Sequence, residues 1–167
     1  MVIRLATTKD LNQLVELWME LMQHHQDWHP LLELSAAAPR IARHELRGRL
    51  LDPYTRIFVC DAGRRRLLGM IVTRYYSNSS ANRLWRCGYI AETVVRNGHR
   101  SRGIGKRLAG TARQWLHAVG LDYLELQVVP QNVAALEFWK AQGFAPFTQQ
   151  MVRLVNPPSV VEWASNR

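Results

Sequence analysis

The sequence predicts an α/β (α+β) domain: a mixed sheet with helices on its faces, in the element order β-α-α-β-β-β-α-β-α-β. Three observations carry this. Segments with apolar residues at helical spacing alternate along the chain with short strand-like runs. Some strands are joined by a tight turn, as in a hairpin, and others only through a helix, as in a crossover. No internal repeat, low-complexity tract or linker breaks the series, so residues 1–155 read as one domain. Residues 156–167, with Pro157-Pro158, read as a loose tail.

Residues 2–6 form the first expected strand. Thr7 or Thr8 can cap the helix that follows, with Asp10 in its first turn. Leu11, Leu14, Val15, Trp18, Leu21 and Met22 then recur at helical spacing to about His25, and Pro30 bars much further extension. Ile41, Leu46 and Leu50 mark a second helix over 38–51. Ile57–Cys60, a turn at Asp61-Ala62-Gly63, and Leu67–Tyr75 read as a hairpin. Trp85–Val95 is the next strand, and a helix runs from Gly103 to Val119, closed by Gly120. Leu124, Leu126 and Val128 alternate in a further strand. A short helix over Asn132–Gln142 ends at Gly143, and Phe147–Val155 is expected as the last strand.

Composition bounds the function. The chain has 167 residues and 47% hydrophobic content, enough for one ordinary core. Its longest apolar run, Leu67–Val72, is far too short to cross a bilayer. The start Met-Val-Ile-Arg-Leu enters a strand directly, without the pattern of a secretory leader, which points to the cytoplasm. Cys60 and Cys87 lie in strand-like stretches and read as reduced core thiols. The net charge of +9 suits polyanionic partners of any kind, including phosphorylated cofactors. The basic residues show no recognition helix or stacking motif, so nucleic acid ranks last among partners, and a membrane is not expected. His25 and His29 have i, i+4 spacing but no carboxylate or cysteine at ligand distance in sequence, and no metal is expected.

The strongest motif lies between the third strand of the middle group and the helix after it. Arg100-Ser101-Arg102-Gly103-Ile104-Gly105-Lys106 opens a helix with glycines and cations. Helix N-termini present unpaired N–H groups, and glycines let backbone approach a phosphate closely, so a pyrophosphate fits here. The pattern is neither a P-loop nor the three-glycine dinucleotide fingerprint. Alone, it is also compatible with a tight helix entry and solvated arginines.

Its context adds to it. The stretch G-Y-I-A-E-T-V-V-R-N-G-H-R-S-R-G-I-G-K-R-L is followed, one helix and one strand later, by N-V-A-A-L-E-F-W-K-A-Q-G-F. In residues 89–144 the chain resembles the GNAT superfamily of N-acetyltransferases. The resemblance implies a mostly antiparallel central sheet flanked by helices, acetyl-CoA as co-substrate and an amine acceptor. It places Thr93, Val94 and Val95 along the pantetheine and thioester, with an oxyanion-binding N–H near Val94 or Val95. It wraps Arg100–Lys106 around the pyrophosphate, and sets Asn132 and Ala135 beside the pantetheine arm. Glu92, an acid in an apolar strand, is the candidate general base; binding a cationic substrate or capping a strand bulge are its other readings.

Two departures follow from the same resemblance. The aromatic slot that often holds a tyrosine acid holds Trp139, a donor only, which fits a wall of the site. Tyr75, Tyr76 or Tyr123 remain as other acids. A glutamate base seen in some relatives before the last motif is Gln127 here, with Glu125 a second choice. The acceptor is expected between the first two helices and the hairpin, where Trp28 and Tyr75 can line it. Small-amine acetylation leads, followed by protein or peptide acetylation and by a non-catalytic acyl-CoA sensor. A homodimer is compatible with the sequence.

Overall fold

A computed structural model describes residues 1–64 and 66–155, for Asp27 the backbone only. The expected tail at 156–167 lies outside the described residues. Five strands form one sheet in sequential order: β1 (Val2–Leu5), β2 (Thr55–Asp61), β3 (Leu67–Ser77), β4 (Arg86–Val95) and β5 (Tyr123–Leu126). The first four pair antiparallel, and β4 and β5 pair parallel. A hairpin joins β2 to β3 and the loop over 78–85 joins β3 to β4, whereas residues 6–54, which carry the first two helices, separate β1 from β2. The parallel pair needs a crossover, which α3 (Ile104–Ala118) supplies.

Helices cover both faces. On one, Leu14 and Leu17 of α1 (Leu11–His25) and Leu46 of α2 (Ala38–Leu51) pack on Ile57, Val59, Met70, Val72 and Val94. On the other, Ile104, Leu108 and Ala112 of α3 and Trp139 of α4 (Val133–Lys140) pack on Phe58, Cys60, Leu68, Ile71 and Ile90. Covered on both sides, β3 is buried continuously from Leu67 to Thr73, which is why its sequence does not alternate. Each fully buried Leu contributes about 1.5–3 kcal/mol of transfer free energy. The α1 entry is fixed by Asp10, which takes the Thr7 N–H at 2.8 Å and the Arg4 guanidinium at 2.8 and 2.9 Å. Gly120 and Gly143 adopt φ of +77° and +89° just past α3 and α4.

One expected element is absent. Among the described residues, 147–155 form no strand, and Phe147, Met151 and Val155 are almost fully exposed. Alternation puts Phe147, Gln149, Met151 and Arg153 on one side and Thr148, Gln150, Val152 and Leu154 on the other. Neither side is apolar throughout, so the segment has no face to bury.

Candidate active site

The site is organised by an irregularity in β4. Val72 of β3 stands opposite Glu92, and Thr73 stands opposite Ile90, so Ala91 is an extra, bulged residue. The bulge reverses the side-chain alternation. Ile90 packs in the α3/α4 core, and without the bulge Glu92 would follow it there. Instead Ala91, Glu92 and Val94 face α1 and α2, while Val95 packs on the α3/α4 side, with Thr93 sharing its direction.

The same region parts from its neighbour. The β4–β5 ladder runs only from Cys87–Tyr123 to Ile90–Leu126, leaving the β5-facing edge of Ala91–Val95 unpaired. The Arg96 N–H donates to Leu68 O at 2.8 Å on β3. Antiparallel alternation therefore turns the N–H and C=O of Val94 to β3 as well, and those of Thr93 and Val95 into the gap. Val94 is thus committed to ladder and core, and Val95 supplies the N–H that opens into the gap. Among the described residues Thr93 Oγ1 is buried without a hydrogen-bond partner, as is Glu92 Oε2.

Glu92 Oε1 accepts from Arg49 Nη1 of α2 at 2.6 Å, in a side chain only 11% exposed. Arg49 also reaches Glu45 at 3.6 Å. A salt-bridge partner for Glu92 is not visible in the local sequence, because it lies one layer and 43 residues away.

The turn after β4 is held by its own backbone. Gly98, Ser101 and Gly103 have φ of +76°, +59° and +76°. Gly103 is the N-cap of α3 and brings no side chain to the first N–H groups of the helix. The Arg100 Nε–H donates to Val95 O at 3.2 Å, tying the turn to the strand end. Arg102 and Lys106 are exposed at the helix entry. Arg96 is not part of this basic group, since Glu16 holds it at 2.6 Å.

Helix α4 closes the far side. Asn132 caps it, its Oδ1 accepting from the Ala135 N–H at 3.1 Å, which leaves its amide N–H groups as donors for a ligand. The aromatic nearest the turn is Phe138, not Trp139: Phe138 ring atoms lie 3.5 Å from where a Cβ of Gly105 would stand. Trp139 is buried and meets Phe138 and Phe144 edge-on, with centroids 4.8 and 5.3 Å away. Sequence reading missed Phe138, which precedes the motif position by one residue and is turned about 100° from it.

The tyrosines separate by face. Tyr75 points to the α3 side, against Trp115 and Tyr54. Tyr76 donates to Glu125, and burial first, then that carboxylate, holds its hydroxyl well above the usual phenol range. Tyr123 accepts from Asn78. Tyr89, not singled out in the sequence, shares the Glu92 face; burial, with Glu92 adding to it, raises its hydroxyl. Trp28 packs against His24 and His25 at the end of α1, and burial lowers the His25 imidazole. Among the described residues no group of three His, Cys, Asp or Glu side chains is set to hold a metal. Among them, too, no helix is long and apolar enough to cross a membrane.

The fold is thus a helix-covered sheet whose parallel strand pair ends short beside a glycine-opened helix, an arrangement that suits an extended, phosphate-bearing ligand. The Acetyltransferase (GNAT) family model matches residues 16–144, and the chain belongs to that family. It is similar to the uncharacterized N-acetyltransferase YobR of Bacillus subtilis (strain 168), at 28% identity over 67 residues. That match covers 40% of this chain and 27% of the relative, so the chain spans about a quarter of the curated protein it matches. Among solved structures, a mutant BH1408 protein of Bacillus halodurans superposes with a TM-score of 0.84 at 19% identity, covering 93% of this chain and all of the other. AAC(6')-Iy in complex with the bisubstrate analogue CoA-S-monomethyl-acetylneamine superposes with a TM-score of 0.71 at 16% identity, covering 93% and 98%.

Proposed function

We propose that the chain is an acetyl-CoA-dependent N-acetyltransferase that acetylates a primary amine of a small molecule. The observation that carries this is the Ala91 bulge, which sets Glu92 on one face of β4 and opens Thr93 and Val95 into the gap beside it. The residues suit acetyl-CoA. The buried, unpartnered Thr93 hydroxyl and the free Val95 edge offer hydrogen bonds to an extended arm. The Gly103 helix entry, with Ser101, Arg102, Ile104, Gly105 and Lys106 N–H groups or side chains, suits a pyrophosphate. Asn132, Ala135 and Phe138 would flank the arm, with Trp139 backing them from the core.

In this reading Arg49 fixes the Glu92 carboxylate and Oε2 takes a proton from the acceptor ammonium. The freed amine attacks the thioester carbonyl, the Val95 N–H stabilises the oxyanion, and C–S cleavage balances N–C bond formation, releasing coenzyme A as a thiolate. Trp139 is sealed in the core, Tyr75 faces away and Tyr76 is bound to Glu125, so the thiolate takes, through water, the second proton that the nitrogen loses on becoming the amide. The buried free cysteines Cys60 and Cys87 fit a reducing compartment, the cytoplasm.

Incubation with acetyl-CoA and a panel of polyamines, amino acids, aminoglycosides and peptides, with free thiol as the readout, tests the reading. Thiol release with a small amine supports it, and release only with peptides shifts it to protein acetylation. Tight acetyl-CoA binding without release from any acceptor replaces it by a sensor.

A further inference from the structure

A row of side chains on the α1/α2 face has no place in the chemistry above. Arg74, Tyr89 and Glu125 stand opposite one another on β3, β4 and β5. Arg74 follows Val72 by two residues, so the row shares its face with Glu92. The Arg74 guanidinium lies over two rings, 5.2 Å from the Tyr89 centroid and 5.8 Å from that of Tyr76. Unlike Arg49, Arg86 and Arg96, Arg74 forms no ion pair among the described residues.

Arg74 also lines an open cleft of about 550 Å³ with Asp52, Tyr54, Tyr75, Tyr76 and Ser77. The Asp52 charge reaches Arg74 across the cleft, but among the described residues the two form no ion pair. The Asp52 oxygens accept from the Thr55 hydroxyl at 2.6 Å and the Tyr54 N–H at 3.0 Å. The two rings orient the guanidinium without consuming its charge, and its planar fork matches an oxyanion. Further along the same face stands the Glu92 carboxylate, which favours an ammonium, while Glu125, in the Arg74 row, accepts from the Tyr76 hydroxyl. Tyr89 and Glu92 stand opposite Arg74 and Val72, so with Ala91 bulged out they lie two β3 steps apart, roughly 7 Å at about 3.3 Å per residue.

We propose that Arg74 and its cleft form an anion subsite for the acceptor, so that the substrate is an amine bearing a carboxylate or phosphate group at its far end. This rests on the acetyl-transfer reading for the direction of the amine. Arg74 holds the oxyanion and the ammonium reaches Glu92. Such an acceptor is zwitterionic, which explains why the face carries both signs of charge.

The test is calorimetric titration of the coenzyme A-loaded protein with ω-amino acids of four to eight carbons, their neutral amides and the matching aminoalkyl phosphonates. At the best length, an oxyanion-bearing amine binds about tenfold more tightly than its amide. Arg74→Gln abolishes that preference and leaves amide binding within about twofold, and Arg74→Lys keeps part of it. The carboxylate-to-phosphonate order identifies the anion. In turnover, Arg74→Gln raises KM for the oxyanion-bearing amine and leaves kcat and the amide KM unchanged. Equal binding of acid and amide at every length, or a preference that survives Arg74→Gln, overturns the subsite. Oxyanion-selective binding without thiol release would leave the subsite standing and remove acetyl transfer instead.

Discussion

Arg49 Nη1 lies 2.6 Å from Glu92 Oε1, so the carboxylate at the head of the β4 gap is gripped from α2 on one oxygen and unpartnered on the other. The pair ties the helical layer to the strand and leaves Oε2 as the atom with unused capacity.

Removing either partner should act differently. Glu92→Gln preserves the shape and is expected to lose roughly 10²–10⁴-fold in kcat/KM, with little change in stability. Arg49→Met strands a buried carboxylate and should cost about 1–3 kcal/mol of stability, since the partly exposed arginine leaves room for water. Urea unfolding and steady-state kinetics on both variants check this. Wild-type rates and an unchanged pH profile for Glu92→Gln would remove the base assignment.

The turn makes a second prediction. A side chain at Gly103, where φ is +76°, is strained by about 1–2 kcal/mol. Gly103→Val is therefore expected to weaken acetyl-CoA binding by about tenfold or more while the fold persists. Arg102→Ala and Lys106→Ala should weaken it less, and flatten its dependence on ionic strength. Calorimetry at two salt concentrations reads both effects.

Trp139 tests the difference between wall and core. Trp139→Ala removes a buried indole from between Phe138 and Phe144 and should cost about 3–5 kcal/mol. Trp139→Tyr should give no gain in kcat, because the ring points into the core rather than at a leaving thiolate. Phe138→Ala, in contrast, should raise the KM for acetyl-CoA with a smaller loss of stability. Thermal melts and kinetics on the three variants separate these expectations.

Most of the fold was legible because it depends on local signals. Helical spacing located α1 to α4, and Gly120 and Gly143 marked the ends of two of them. The last strand was misread because Phe147–Val155 has strand-forming residues without a consistent apolar side. The family motif brought the turn and Glu92 to notice, but not their geometry. Nothing in Ala91-Glu92 announces a bulge, which arises from pairing with Val72 and Thr73. Arg49 and Arg74 were invisible for a similar reason: their partners come from other elements, and sequence spacing carries no information about them. Phe138 and Trp139 are adjacent in sequence, and only packing decides which faces the turn.

Asp10 yields the pH dependence. Hydrogen bonds from Arg4, and then from Thr7, hold its carboxyl at about 2 against an ordinary 3.8. The unfolded chain therefore takes up the proton first as pH falls. The stabilisation, on the order of 2 kcal/mol, is fully present above about pH 4 and is lost as the pH drops through about 2. Asp10→Asn should lower stability at pH 7 and converge with wild type near pH 2, as measured by denaturant unfolding across that range.

The most direct measurement is single-turnover thiol release from acetyl-CoA, with an oxyanion-bearing amine as acceptor, for wild type, Gly103→Val and Glu92→Gln. Wild type should bind acetyl-CoA and release thiol in proportion to acetylated amine. Gly103→Val should bind weakly, and Glu92→Gln should bind normally and turn over slowly. A wild-type protein that does not bind acetyl-CoA, or a Glu92→Gln protein that releases thiol at the wild-type rate, would contradict the assignment of this gap and its carboxylate to acetyl transfer.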